Sequence, residues 1–127
     1  NHRFGLGDGI LIKDNHRLIA GGIYNAVESV RKHLGHMVKL EVEVDTLAEL
    51  QEVLDLDVDA VLLDNMTPTM ISKAVSLVDN RVLTEASGGV TPETVLEVAA
   101  TGVDLISLGW LTHSVINWDV GLDFESQ

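Results

Sequence analysis

The chain has 127 residues, 46% of them hydrophobic but only 4% aromatic, with no cysteine and a formal net charge of -12. That length suits one compact domain, and a core built from Val, Leu, Ile and Ala suits a buried parallel sheet. The composition excludes a disulfide framework and a thiolate zinc site, and it argues against a broad nucleic-acid surface. No apolar run is long enough to cross a bilayer, so no membrane partner and a cytoplasmic setting are expected.

In chain order, the first apolar run, Ile10 to Lys13, reads as a strand, and His16 to Leu34 reads as one long helix stopped by Gly35. A second strand is expected from Val38 to Val44. The helix after it, Leu47 to Leu54, is announced by Thr46 and Glu49 at capping-box spacing. A third strand, Ala60 to Leu63, leads to a helix over Pro68 to Val78. Thr67 is its cap, and Pro68 takes the first helical position, where a missing N–H costs nothing. The fourth strand, Val82 to Glu85, precedes a helix from Pro92 to Ala100 with Thr91 as its cap and Gly102 at its stop. The fifth strand runs from Asp104 to Leu108. Strand and helix alternating at this cadence imply parallel pairing through right-handed crossovers. A complete (β/α)₈ barrel needs about 250 residues. The expected fold is therefore α/β, an incomplete TIM-like parallel β/α barrel, with residues 1–127 covering roughly its C-terminal half.

Ligands of parallel α/β folds gather at the carboxyl ends of the strands. The second strand alternates Val38, Leu40, Val42 and Val44 with Lys39, Glu41, Glu43 and Asp45, which puts the polar set on one face. In an antiparallel sheet that face would be solvated. In a parallel barrel it points inward, where an unpaired carboxylate is costly. Asp64 closes a fully apolar strand and is a natural partner for Glu43. Two such hard oxygen ligands suit Mg2+, which binds through one or two carboxylates plus substrate phosphates.

Ser87-Gly88-Gly89 and Ser107-Leu108-Gly109 are successive glycine turns at strand ends, the pattern of a barrel phosphate site. No Lys or Arg follows Arg81, so an anion held there must be held by backbone N–H groups, with His113 within reach. His2, Arg3 and Lys13 supply positive charge at the other end of the chain. Arg3 can grip a carboxylate or phosphate through its planar fork, and Lys13 ends an apolar strand where burial requires a partner.

In register, Asn1-His2-Arg3-Phe4-Gly5-Leu6, Ile10-Leu11-Ile12-Lys13-Asp14-Asn15-His16, Glu41-Val42-Glu43-Val44-Asp45, Leu62-Leu63-Asp64-Asn65-Met66, Glu85-Ala86-Ser87-Gly88-Gly89-Val90 and Leu111-Thr112-His113-Ser114 resemble the catalytic domain of the quinolinate phosphoribosyltransferases. The resemblance covers essentially the whole chain. It implies formation of nicotinate mononucleotide, pyrophosphate and CO2 from quinolinate and 5-phosphoribosyl-1-pyrophosphate with Mg2+, in de novo NAD synthesis, by a homodimer or larger homo-oligomer. It assigns His2, Arg3 and Lys13 to a cationic pocket for carboxylates and pyrophosphate. Glu43 and Asp64 become the acidic pair at ribose and metal, so that Lys13, Glu43 and Asp64 are the catalytic candidates. Ser87, Gly88, Gly89, Ser107, Gly109 and His113 become the 5-phosphate cradle. It also implies an amino-terminal domain upstream of Asn1 that carries further quinolinate-binding arginines, so that this stretch alone is expected not to turn over. Two residues depart from the pattern: Trp110 stands where a small residue is usual, and Arg17 where an apolar one is. Two other readings are a paralogous phosphoribosyltransferase associated with molybdenum transport and a non-catalytic module that binds a phosphorylated metabolite.

Overall fold

A computed structural model describes residues 5–114, 116–118 and 120–122. Five strands form one sheet, β1 (Gly9–Ile12), β2 (Lys39–Val44), β3 (Ala60–Asp64), β4 (Leu83–Ser87) and β5 (Leu105–Ile106), each parallel to its neighbour and laid down in the order of the sequence. Crossovers of one hand between sequential parallel strands put every helix on one face, which is the winding of a barrel and not of a doubly wound sheet. The helices follow that layout. They are α1 (Asp14–Ala20), α2 (Ile23–Arg31), α3 (Leu47–Val53), α4 (Pro68–Val78), α5 (Val95–Ala99) and α6 (Trp110–His113). Each of the first four packs against the next in line.

The core lies between sheet and helices. Leu40, Val42 and Val44 of β2, Val61 and Leu63 of β3 and Ala86 of β4 are all 0% exposed. They meet Ile23, Ala26 and Val27 of α2, Leu50 and Val53 of α3, and Ile71, Ala74 and Val78 of α4. Those helical residues recur at spacings of three and four, so each helix presents one apolar stripe. Full burial of each Leu, Val or Ile side chain contributes about 1.5–3 kcal/mol. Alternation leaves the other sheet face to Glu41, Glu43, Leu62, Glu85 and Ser87.

Two helix starts follow the local signals. Thr46 Oγ1 accepts from Glu49 N–H at 3.2 Å while the Glu49 carboxylate accepts from Thr46 N–H, the expected capping box. Thr67 Oγ1 accepts from Met70 N–H at 3.3 Å with Pro68 in the first turn. The long first helix is in fact two. Gly21 and Gly22 have φ of +79° and +130°, outside the helical region, so α1 ends there and α2 starts anew. Gly35 has no left-handed φ; the left-handed stop belongs to Gly21, while Gly102, at φ +84°, does follow α5 as expected. Thr91 and Pro92 form a turn closed by Thr94 N–H and Val95 N–H on the Thr91 carbonyl, and α5 proper begins only at Val95.

A structural repeat underlies the strand starts. Val58-Asp59 enters β3, and Asp59 accepts from Leu40 N–H of β2 at 2.9 Å. Val103-Asp104 enters β5, and Asp104 accepts from Thr84 N–H of β4 at 2.9 Å and from Thr84 Oγ1–H at 2.7 Å. Each aspartate thus ties the start of its strand to the preceding one.

Candidate active site

β1 and β2 pair with Ile12 opposite Val42, so the next inward position on each strand brings Lys13 to Glu43. The Lys13 Nζ lies 2.9 Å from Glu43 Oε2, and Glu43 is 4% exposed. The hydrogen bond and the charge of Glu43 raise the Lys13 pKa, with smaller help from Asp64 and Asp14. Asp64 ends β3. Burial, then repulsion from Glu43 and Asp45, pushes its carboxyl above the usual range, against the pull of Lys13 and Asn65. Glu43 and Asp64 therefore share one electrostatic neighbourhood, but the direct partner of Glu43 is Lys13.

The glycine turns lie beside this cluster. Asp64 and Ser87 are Cα partners in the β3–β4 ladder, so the acidic end and the first glycine turn stand one strand spacing, about 4.8 Å, apart. Gly88 and Gly89 follow at φ +85° and +62°. Glycine adopts this left-handed backbone without penalty and carries no Cβ to keep an anion at a distance. A cavity of about 270 Å³ opens between this turn and the one after β5, lined by Ser87, Gly88, Gly89, Ser107, Gly109 and His113, with Trp110 in its wall. The His113 ring covers Gly109 so closely that a Cβ there would lie 3.0 Å from His113 Nε2. The cradle residues are thus brought together. His2 and Arg3 lie outside the described residues.

Four other residues shape the site. Ser107 Oγ–H donates to Glu85 Oε1. Glu85 in turn sits beside Glu41, whose Oε1 is buried with no hydrogen-bond partner. Burial, then the Glu85 carboxyl, pushes the Glu41 pKa up to about 7. Asn65, at φ +52°, donates Nδ2–H to Asp64 Oδ2 at 2.6 Å and its backbone N–H to the Ser87 carbonyl at 2.9 Å. Arg17 is 8% exposed and lies 3.0 Å from Asp45 and 2.9 Å from Glu49. It is a strut between α1 and the end of β2. Asn65 stood inside a motif read for its aspartate, and Glu85 inside one read for its glycines. The signal that could have found Asn65 is a residue tolerant of left-handed backbone directly after a strand-end acid.

Among the described residues no group of three or more acidic or histidine side chains forms a metal cage. Two carboxylates held close enough to repel are a different arrangement, and they fit an ion that takes its remaining ligands from substrate.

The family model described as quinolinate phosphoribosyl transferase, C-terminal domain, matches residues 1–123. The chain belongs to that family. A probable carboxylating nicotinate-nucleotide pyrophosphorylase of Bacillus subtilis is 45% identical over 123 residues, which cover 97% of this chain and 43% of that protein. A chloroplastic nicotinate-nucleotide pyrophosphorylase of Arabidopsis thaliana is 43% identical and is matched over 42% of its length. The crystal structure of the nicotinate-nucleotide pyrophosphorylase from Ehrlichia chaffeensis superposes with a TM-score of 0.87 at 43% identity, covering 98% of this chain and 45% of that one. A thiamine phosphate pyrophosphorylase from Pyrococcus furiosus, only 18% identical, shares the fold at a TM-score of 0.65. The chain spans less than half the length of its named quinolinate phosphoribosyltransferase relatives. No helix among the described residues is long and apolar enough to cross a membrane.

Proposed function

We propose that this chain supplies the phosphoribosyl-binding half of a quinolinate phosphoribosyltransferase, which forms nicotinate mononucleotide, pyrophosphate and CO2 from quinolinate and 5-phosphoribosyl-1-pyrophosphate. The observation that carries the reading is the pairing of Asp64 with Ser87 across β3 and β4. It sets an acidic cluster beside a glycine cradle, as a sugar with a phosphate on one end and a bond to be broken on the other requires.

In this reading the N–H groups of the Ser87-Gly88-Gly89 turn, with Ser107 and His113, bind the 5-phosphate. Cleavage of the bond from C1 of the ribose to pyrophosphate builds positive charge on the sugar, and Glu43 and Asp64 stabilise it. Lys13, held in its charged form by Glu43, binds the pyrophosphate and the quinolinate carboxylates, a role that the family resemblance extends to His2 and Arg3. Glu43 and Asp64 would hold Mg2+, which when bound neutralises the departing pyrophosphate. Once the ring nitrogen has joined C1, the adjacent carboxylate leaves as CO2; its bonding electrons stay on the ring carbon beside the now cationic nitrogen, and that carbon takes up a proton from water to give nicotinate mononucleotide. The protein's task is then to position and desolvate the two substrates.

Segments outside this chain supply the further quinolinate-binding arginines. Exposed Leu18 and Ile19 on α1, at 80% and 85%, offer apolar surface to a second subunit, in keeping with a homodimer or larger homo-oligomer. The lack of cysteine favours a cytoplasmic setting.

Glu43→Ala and Asp64→Ala, made in the complete enzyme, are expected to lower turnover to nicotinate mononucleotide by about 100-fold or more, with thermal unfolding midpoints close to that of the parent. Unchanged product formation in both variants would overturn the assignment.

A further inference from the structure

Asn65 stands between the two halves of the site and touches both. On one side its Nδ2–H donates to Asp64 Oδ2 at 2.6 Å. On the other its backbone N–H donates to the Ser87 carbonyl at 2.9 Å, and its side chain lies over Gly88. A Cβ placed on Gly88 would fall 2.2 Å from Asn65 Oδ1 and 2.6 Å from Cγ, so the asparagine fills the space a side chain there would need. Its φ of +52° is a conformation that Asn tolerates better than most residues and that costs others about 1 kcal/mol or more. Strain of this kind persists only where surrounding contacts hold it, and here those contacts run to the acid on one side and to the glycine turn on the other.

We propose that Asn65 is a positioning residue that sets the separation between the Asp64 carboxylate and the Ser87-Gly88 turn, and so matches the site to a phosphate and a sugar hydroxyl carried on one ligand. The inference rests on the phosphoribosyl reading of the site. Phosphate alone needs only the turn, and a ribose hydroxyl alone needs only the acid. A ribose 5-phosphate bridges both, and its affinity depends on the two being held at one distance. The single amide does this in two ways. It orients Asp64 by donating to one carboxylate oxygen, which leaves the other for ligand, and it fills the space beside Gly88, which fixes how far the turn stands from the end of β3.

The test is binding measured by calorimetry with two probes, inorganic phosphate and ribose 5-phosphate, on the complete enzyme. Asn65→Gly keeps the left-handed backbone and the N–H to Ser87 while removing the amide. Asn65→Asp keeps the bulk over Gly88 and replaces the donor by a second negative charge beside Asp64. In both variants ribose 5-phosphate is expected to lose about tenfold in affinity, with inorganic phosphate changed less than about twofold and the KM for quinolinate unaltered. Rescue is expected in neither. Unchanged affinity for ribose 5-phosphate in Asn65→Gly would overturn the proposal. So would an equal loss for both probes, which would make Asn65 a prop of the turn alone. Asn65→Asp keeps the volume, so the result does not hinge on one variant folding. A parent enzyme that binds ribose 5-phosphate but makes no nicotinate mononucleotide would sink the proposed reaction and leave this inference standing. An active parent with indifferent Asn65 variants would do the reverse.

Discussion

Single side chains in the site are held by neighbours that can be named, and that makes their removal predictable. Gly88 has φ +85° and no room for a Cβ against Asn65. Gly88→Ala is expected to cost about 1–3 kcal/mol of stability in thermal unfolding, with loss of phosphate binding. Gly89, also at positive φ but with open space around it, should lose less on the same change. Glu41 gives a prediction with a pH sign. The unfolded chain releases its proton near the ordinary value of 4.5, whereas the folded chain keeps it to about 7. The folded state therefore binds the extra proton between these values, and stability falls as pH rises from about 4.5 to about 7, then levels off. Glu41→Gln removes that cost. It is expected to stabilise by about 1 kcal/mol at pH 8, once solvent screening is allowed for, and by nothing at pH 4. Equal effects at both pH values in denaturant titrations would refute the shared burial of Glu41 and Glu85.

Secondary elements are joined by charged contacts at their starts. Asp59 receives Leu40 N–H, the Lys39 ammonium and the Arg31 guanidinium. Burial works to raise its pKa, but Lys39, the Leu40 N–H and Arg31 outweigh it and hold the carboxyl at about 2, below the ordinary 3.8. A depressed carboxylate contributes stability that is present above about pH 4 and lost as pH falls through 2. Asp59→Asn is expected to cost about 1–2 kcal/mol at pH 7, and the difference from the parent should shrink toward pH 2. The break between α1 and α2 depends on Gly22, whose φ of +130° is reserved for glycine. Gly22→Ala should destabilise by about 1–3 kcal/mol in the same assay, even though open space surrounds it. Arg17 illustrates a different balance. Its partners Asp45 and Glu49 are themselves partly exposed, so an apolar residue at 17 leaves them hydrated. Arg17→Leu is expected to change stability by less than about 1 kcal/mol.

For the whole molecule, the sheet has two outer strands, β1 and β5, with no partner among the described residues on their outer sides. Unpaired edges and exposed Leu18, Ile19 and Leu111 favour association. The 127-residue chain prepared by itself is expected to sediment as more than a monomer, and a clean monomer at about 10 μM would refute this. Much of the architecture was legible beforehand because its signals are local. Thr46 with Glu49, Thr67 with Pro68, and β-branched runs between polar segments each specify their own few residues, and the strand–helix cadence implies parallel pairing. The split at Gly21-Gly22 was missed because the apolar pattern continues across it, although two glycines in a row disfavour a helix. The four-residue α6 was too short for any period to register. In the site, alternation along β2 put Glu43 on the inward face, but alternation says nothing of what stands opposite. Only the β1–β2 register set Lys13 against it and left Asp64 as a charged neighbour.

The same division holds for function. Residue types and their order determined that there would be an acidic strand end, two glycine turns with no Lys or Arg after Arg81, and a match to the quinolinate phosphoribosyl transferase family. Tertiary structure decided that Asp64 pairs with Ser87, that Asn65 bridges them, and that Glu41 meets Glu85 instead of solvent. The physical reason is range. Caps, turns and alternation act within a few residues of chain, whereas a carboxylate's charge, burial and partners depend on strands brought together from 20 or so residues away.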